Sequence, residues 1–286
     1  MSTLFLVGTP IGNLEDITLR ALRVLREVRL IAAEDTRRTR LLLSRHGIAT
    51  AVTSYHEHNK LSKLSQILSV LQDGMDVALV SDAGMPGISD PGFELVSAVI
   101  ARGIPVVPVP GPSALISALA VSGLPTDQFV YLGYLPRQAR KREEFLKSVA
   151  HEKRTLVAFE APHRLCSSLQ AMRDAWGNRR IVVARELTKV YEEIRRSTIS
   201  EEVAHFATTR PRGEFTLVIE GAREEDSVTP TDRELRERLA HLQASGLDRK
   251  SATAQVARES GRSKRDVYRV WSSLSEKHPE KRPPGG

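Results

Sequence analysis

The sequence predicts an α/β protein with two sheet-bearing halves and a small helical C-terminal piece. Three observations predict it. Short apolar runs alternate with amphipathic stretches through residues 1–123. The runs lack polar alternation, as strands do when helices cover both faces of a parallel sheet. Each run ends in a loop rich in Gly, Pro, Ser or Asp.

The first strand is Leu4-Phe5-Leu6-Val7, closed by the turn-rich Gly8-Thr9-Pro10-Ile11-Gly12-Asn13. Asp16 is placed to cap a helix whose apolar positions Leu19, Leu22, Leu25 and Val28 recur every three residues. Leu30-Ile31-Ala32-Ala33 reads as a second strand, ending at Glu34-Asp35-Thr36-Arg37. Val77-Ala78-Leu79-Val80 is the third, ending at Ser81-Asp82-Ala83-Gly84. Asp90 then reads as an N-cap with Pro91 at the first helical position, and Gly103 as the helix stop. Val106-Val107-Pro108-Val109 is the fourth strand, running into Pro110-Gly111-Pro112-Ser113-Ala114 and another helix.

Ser122 to Thr126 reads as a linker. Beyond it, runs at 129–133, 155–159, 181–184 and 215–219 are rich in β-branched and aromatic residues and predict a second α/β domain. The segment from Ala222 to Thr231 reads as an acidic, polar linker, and Arg233 to Leu274 as helix throughout. Lys250–Glu259, the turn Ser260-Gly261-Arg262 and a helix capped by Ser263 form a helix-turn-helix-like pair. The expected domains are 1–123, 124–225 and 230–276, with a flexible tail over 277–286.

Composition narrows the function classes. The chain has 286 residues, 41% hydrophobic and 27% charged, which excludes disorder as a whole-chain property. No apolar run approaches the ~18–20 residues of a membrane span, and the N-terminus has no basic n-region or long h-region of a signal peptide. A single cysteine, Cys166, can form neither an internal disulfide nor a Cys-based zinc site, so a cytoplasmic location is expected. The net charge of +7 is uneven: residues 1–124 balance at 11 basic and 11 acidic side chains, whereas 229–286 carry 13 and 8. A basic excess of that kind attracts polyanions, although a solvated surface accounts for it equally well.

Neither G-x-G-x-x-G nor G-x-x-x-x-G-K-[ST] occurs, which argues against dinucleotide and P-loop sites. Ser81 and Ser113 have no evident His partner for a hydrolase triad. His56-Glu57-His58 lacks a third soft ligand nearby, so no metal is expected. What remains is a set of small-residue loops on one sheet edge, where open α/β sheets bind ligands. Ser81, Asp82, Ala83, Gly84 and Met85 let a ligand approach the backbone closely. Ser113 and Ala114 open a helix whose free N–H groups suit a carboxylate, and Asp82 suits a cation. An amino acid, or the methionine end of S-adenosylmethionine, carries both groups. Ordinary tight turns are the alternative for any single loop.

Longer motifs carry a resemblance. Gly8 through Thr18, Ala33 through Arg37, Ser54 through Asn59, Ser81 through Gly92 and Pro110 through Ala114 resemble the tetrapyrrole-methylase superfamily, in its ribosomal RNA branch. Phe159 through Arg164 and Arg185 through Lys189 match the same branch. Met85 departs from it, standing where the branch more often has Thr. The resemblance implies two α/β domains with S-adenosylmethionine in the cleft between them, S-adenosylhomocysteine as product, and usually a homodimer. It implies methylation of a cytidine 2′-hydroxyl in the decoding region of small-subunit (16S) ribosomal RNA, so that rRNA or the 30S subunit is the partner. By the same carry-over Pro10 and Ile11 lie against the donor after the first strand. Ser81 to Met85 line its methionine end, Ser113 and Ala114 approach from the fourth loop, and Glu160 and Ala161 meet the adenine.

In-line methyl transfer requires an oxygen held roughly 3–3.5 Å from the methyl carbon. Glu34, Asp35 and Glu160 are the candidate proton acceptors, with water as a further one; a salt bridge to Arg37 or Arg38 is the other reading of Glu34-Asp35. Arg37, Arg38, His163, Arg164, Arg185 and Lys189 are candidate RNA contacts, as are the run Arg137 to Arg142 and the C-terminal Arg262, Lys264, Arg265 and Arg269. For each the alternative is a surface or interface ion pair. Two other function classes stay open on the residues alone: a ligand-sensing nucleic-acid-binding protein, and a methylase of a tetrapyrrole or other small acceptor.

Overall fold

A computed structural model describes residues 2–223, 232–260 and 262–275. Most of the expected linker (224–231), the turn residue Gly261 and the expected tail from 277 onward lie outside the described residues. The chain divides into two compact units, one up to Ala222 and one from Arg223 onward. Among the described residues no helix is long and apolar enough to cross a membrane.

The first half of the first unit alternates strand and helix. Its strands are β1 (Leu4–Val7), β2 (Leu30–Ala33), β3 (Val52–Ser54), β4 (Val77–Val80) and β5 (Val106–Val109). The helices following them are α1 (Leu19–Glu27), α2 (Thr36–Arg45), α3 (Lys60–Gln72), α4 (Phe93–Ile100) and α5 (Ala114–Ser122). All pairings are parallel, in the order β3-β2-β4-β1-β5. Successive strand residues serve opposite faces. Ala78 and Val80 pack with Val24 and Leu25 of α1, while Val77 and Leu79 pack with Ile67 of α3 and Leu95 of α4. The adjacent strands β1 and β4 therefore send their helices to opposite faces, which makes a topological switch point at their carboxyl ends.

The second sheet is mixed. It comprises β6 (Phe129–Tyr134), β7 (Thr155–Glu160), β8 (Arg180–Arg185), β9 (Glu193–Thr198) and β10 (Phe215–Ile219), in the order β6-β7-β10-β8-β9. Only β6 and β7 run parallel. One face is covered by α6 (Ala139–Ser148), α7 (Pro162–Trp176) and α8 (Ile199–Thr208) around Leu146, Leu165 and Phe206. The other face receives Ala118 and Leu119 of α5, together with Ile11 from the first loop. The helix that ends the first half thus seats the second sheet.

Three expectations change. Thr18 rather than Asp16 caps α1, accepting the Ala21 N–H at 3.1 Å, because Asp16 is taken up in a 3₁₀ turn, Leu14–Asp16. Helix α4 starts at Phe93 behind Gly92, so Asp90 caps nothing. The edge strands β3 and β9 were not predicted: one has three residues, and the other, Glu-Ile-Arg-Arg-Ser-Thr, carries the charges that keep edges from pairing further.

The second unit is α9 (Asp232–Ala244), α10 (Arg249–Ser260) and α11 (Lys264–Ser275), packed around Leu239, Val256, Val267 and Trp271. Ser263 caps α11 as expected, accepting the Asp266 N–H at 3.1 Å.

The loops after β1, β4 and β5 are locked together. Thr9 and Gly84 exchange N–H···O bonds of 2.9 and 3.0 Å. A Cβ on Gly111 would come within 2.9 Å of both Cα and the carbonyl oxygen of Gly8. No side chain can give way there. Gly111→Ala is therefore expected to destabilise the first unit by ~1–3 kcal/mol, read as a lower urea midpoint with an unchanged slope.

Candidate active site

The locked loops floor a cavity of about 570 Å³ at the switch point, within the range of small-molecule sites. The strand ends of the first sheet contribute Ile11, Glu34, Asp82 to Met85, and Ser113 to Ile116. The second sheet roofs it with Tyr134, Phe159, Ala184 and Glu214 to Thr216. A side loop, Leu187 to Lys189, closes against the first: a Cβ on Gly12 would collide with Lys189 at 2.4 Å, and the Thr188 hydroxyl accepts the Asn13 N–H at 3.1 Å. Among the described residues the non-glycine positions with positive φ are Ser89 (65°), Glu186 (50°) and Thr188 (66°). All three stand in the loops around this cavity, where strained backbone concentrates in functional sites.

Of the residues expected to meet the donor, Ile11, Asp82, Ala83, Gly84, Met85, Ser113 and Ala114 line the cavity. Pro10 and Ser81 are buried and are not part of its wall. Ala114 and Leu115 stand in the first turn of α5, where N–H groups have no intrahelical acceptor. Ser113 caps that helix through the Ile116 N–H.

Glu160 is placed differently from the sequence expectation. Its carboxylate is fully buried, accepting the Ala161 N–H at 2.9 Å, the Ser168 hydroxyl at 2.5 Å and Arg164 Nη2 at 3.2 Å. It ties β7 to α7 and is not in the cavity wall. Ala161 is the N-cap position of α7 and likewise stands outside the wall.

Asp35 is also engaged elsewhere. It caps α2 through the Arg37 N–H at 2.8 Å and grips the Arg37 guanidinium at 2.8 and 3.1 Å. Those hydrogen bonds hold its carboxyl well below the usual carboxylate range, and it is not in the wall. The salt-bridge reading therefore fits Asp35. Glu34 does line the cavity, accepting the Asp82 N–H at 3.3 Å. Burial pushes its carboxyl up, reinforced by the Asp82 charge and opposed by that hydrogen bond and Arg38. Asp82 accepts the Asp35 N–H at 2.9 Å and faces Arg38 at 3.5 Å.

The candidate RNA contacts scatter. Arg38 and Lys189 stand in the cavity wall. Lys189 Nζ is held at 2.9 Å from Glu186 and 3.0 Å from Glu214. Arg37 and His163 are exposed outside it. Arg164 is committed to Glu160 and the Leu135 carbonyl, and Arg185 to the Arg212 carbonyl at 2.8 Å and Glu193 at 3.4 Å. In the second unit Arg262 pairs with Asp232 at 2.7 Å and Arg269 with Asp266 at 3.7 Å, while Lys264 and Arg265 are exposed.

Sequence reasoning missed the roof and one acid. Tyr134, Phe159, Phe215 and Thr216 sit at strand ends of the second sheet, a position its predicted strands already marked. Asp90 was misplaced because Asp-Pro-Gly ahead of an apolar run reads as a helix start. It lines the cavity instead, and burial, with Glu34 and Asp82 nearby, pushes its carboxyl up to about 7. Among the described residues no group of three or more His, Cys, Asp or Glu is arranged to hold a metal ion.

Comparison with known proteins places this geometry. The family model for Tetrapyrrole (Corrin/Porphyrin) Methylases matches residues 3–202. The chain belongs to that family. A relative from Synechocystis sp., named Ribosomal RNA small subunit methyltransferase I, is 48% identical over 96% of this chain and 99% of its own length. One of the same name from Halalkalibacterium halodurans is 46% identical over 94% of each chain. A third from Thermotoga maritima is 50% identical over 221 residues, 77% of this chain and 99% of its own. Among solved structures, the cobalamin biosynthetic enzyme cobalt precorrin-4 methyltransferase aligns with a TM-score of 0.60 at 18% identity, over 76% of this chain and 94% of that one. That likeness speaks to the fold.

The arrangement of Glu160 makes a stability prediction. Glu160→Ala strands the Arg164 guanidinium, whose side chain is 13% exposed, without its carboxylate. A loss of about 3–5 kcal/mol is expected in equilibrium urea unfolding; a loss below 1 kcal/mol would return Glu160 to the list of catalytic candidates.

Proposed function

We propose that the chain methylates the 2′-hydroxyl of a cytidine in small-subunit ribosomal RNA, with S-adenosylmethionine as donor. The carrying observation is the 48% identity that extends over 96% of the chain to a relative named for small-subunit rRNA methylation. That span takes in both the floor and the roof of the cavity.

The cavity suits the donor on its own chemistry. The first turn of α5 offers N–H groups to a carboxylate. Asp82, Glu34 and Asp90 offer negative charge to an ammonium or a sulfonium. Gly84 and Gly111 bring bare backbone to the floor. Phe159, Phe215 and Leu187 give an apolar surface for a purine. When bound, the donor supplies an activated methyl group.

The protein's share is then positioning and proton removal. A hydroxyl held in line with the methyl–sulfur bond gains up to ~7–11 kcal/mol from lost translational and rotational freedom. A proton acceptor adds 10²–10⁴-fold, about 3–5 kcal/mol. The rigid coupling of three loops serves the larger of the two. Arg38 and Lys189 at the wall are placed to meet phosphates of the substrate strand, and the exposed Lys264 and Arg265 of the second unit offer a further basic surface. The same reading includes a homodimer, to which exposed Leu61, Phe93 and Ile100 offer apolar area, and a cytoplasmic location.

Incubating the protein with radiolabelled S-adenosylmethionine and small subunits lacking the modification should place label on a cytidine 2′-oxygen. Label only on an added porphyrinoid would move the chain to the macrocycle methylases, and donor-independent nucleic-acid binding with no transfer would make it a sensor. The Thermotoga maritima relative, 99% of which aligns over 221 residues, about the length of the first unit, carries the same rRNA-methyltransferase name. Deleting residues 230–286 is accordingly expected to leave donor affinity within a few-fold while weakening subunit binding, measured by calorimetry and by sedimentation with subunits. Unchanged subunit binding would remove the helical unit from substrate docking.

A further inference from the structure

We infer that Asp90 is the catalytic proton acceptor of the transfer, the group that takes the hydrogen of the attacking hydroxyl. The inference rests on the methyl-transfer reading above and adds a residue to it.

Three carboxylates share the cavity floor, and their surroundings separate them. Asp82 is held by a backbone N–H and stands 3.5 Å from Arg38. It is a fixed negative charge with a cation already beside it. Glu34 spends one oxygen on the Asp82 N–H. Asp90 lines the cavity with no hydrogen bond from the fold to its carboxylate, the Ser81 hydroxyl beside it being turned to the Ala83 and Gly84 carbonyls, and among the described residues no Lys or Arg pairs with it. Its carboxylate is the one least committed to the fold.

The fold also gives up stability to keep it there. Asp90 stands two residues ahead of the N-cap of α4, too far back for its side chain to serve as that cap. Here the cap is Gly92, which has no side chain to accept the free N–H groups. The preceding residue, Ser89, sits at φ 65°, a conformation that costs a non-glycine residue of order 1–3 kcal/mol. The Ser89 hydroxyl is hydrogen bonded to the hydroxyl of Tyr131 on β6, so the loop carrying Asp90 is anchored to the second sheet as well as the first. Gly87 and Gly92 fold the loop onto itself: a Cβ on Gly92 would stand 3.1 Å from Gly87 Cα. A strained serine and a partly buried acid have no structural benefit in common. Each follows if the loop exists to present a carboxylate to the cavity.

Its protonation equilibrium suits the task. Burial first, then the charges of Glu34 and Asp82, bring the Asp90 carboxyl up to about 7, where a base is both free to accept and strong enough to pull. Tyr131 and Tyr134 face it from β6 as neutral phenols, their own ionisation pushed to higher pH by burial first and in part by the Asp90 charge. In the transfer, the hydroxyl oxygen forms its bond to the methyl carbon as the carbon–sulfur bond breaks and its electron pair stays on sulfur. The hydroxyl proton passes to Asp90, which later returns it to water. The charge of the donor and the proton are thereby both accounted for.

The test is the pH dependence of methyl transfer to small subunits by the full chain, for wild type, Asp90→Asn and Asp90→Glu. Wild type should show a rising limb near pH 7 in kcat/KM, and a lower one in kcat because a bound cation favours the carboxylate. Asp90→Asn should lose 10²-fold or more in kcat and lose the limb, with donor affinity by calorimetry kept within a few-fold; Asp90→Glu should recover part of the rate. A raised acid penalises the folded state above its pKa, so Asp90→Asn should also melt higher than wild type above pH 7, a gain that disappears below pH 4. Transfer by Asp90→Asn within a few-fold of wild type, with the limb intact, would overturn the role of Asp90 and leave the methyltransferase reading standing. Absence of transfer in wild type would overturn both.

Discussion

The contact on which the site depends is between two pieces of backbone. Gly8, after β1, and Gly111, after β5, meet with no side chain between them, and the bridge from Thr9 to Gly84 adds the loop after β4. Parallel strands supply the approach, because their carboxyl ends all point to one edge. Glycine supplies the closeness. Backbone held at this distance is rigid in a way side chains are not: it has no rotamers to change. A reaction whose largest contribution comes from holding two atoms in line gains most from such a floor.

Electrostatics then differentiates a floor that packing has made uniform. Glu34, Asp82 and Asp90 have like charges in one cavity, an arrangement that would repel if all three ionised fully. Arg38 offsets one charge, backbone N–H groups offset parts of two, and burial keeps the Asp90 carboxyl near neutrality. Asp35 and Glu160, one residue or one strand away, are drawn out of the cavity by Arg37 and Arg164. Among these five acids, Asp35 and Glu160, each in hydrogen-bond contact with a guanidinium, serve the scaffold, while Glu34, Asp82 and Asp90 face the cavity.

That division explains what could be read from the chain. The first sheet was legible because buried parallel strands are apolar on both faces, and the runs of β1, β2, β4 and β5 carry that mark. The edge strands β3 and β9 were not, since short or charged strands do not differ locally from loops. On the site, the small-residue loops located Asp82, Gly84 and Ser113 from residue type alone. Glu160 and Asp35 could not be sorted from Glu34, because the partner that decides each role depends on side-chain direction. For Glu160 that partner lies four positions on, across the first turn of α7; for Asp35 it is two positions on, in the helix it caps. Asp90 was misread for a related reason: an Asp-Pro-Gly sequence has a strong local meaning, and the tertiary contact of Ser89 with Tyr131 overrides it.

The roof has a different logic from the floor. Its sheet is mixed, its strand ends bear aromatic and aliphatic side chains, and it is seated by α5, the helix whose first turn also opens on the cavity. One helix therefore sets both part of the floor and the seat of the roof. The loop at Leu187 to Lys189 meets Gly12 from the other side, where a single added carbon would collide. The cleft is bounded on that side by these close contacts and by the hydrogen bond of the Asn13 N–H to Thr188. Such a cleft can admit a small donor by its open mouth and must meet its large acceptor at the rim, where Arg38 and Lys189 stand.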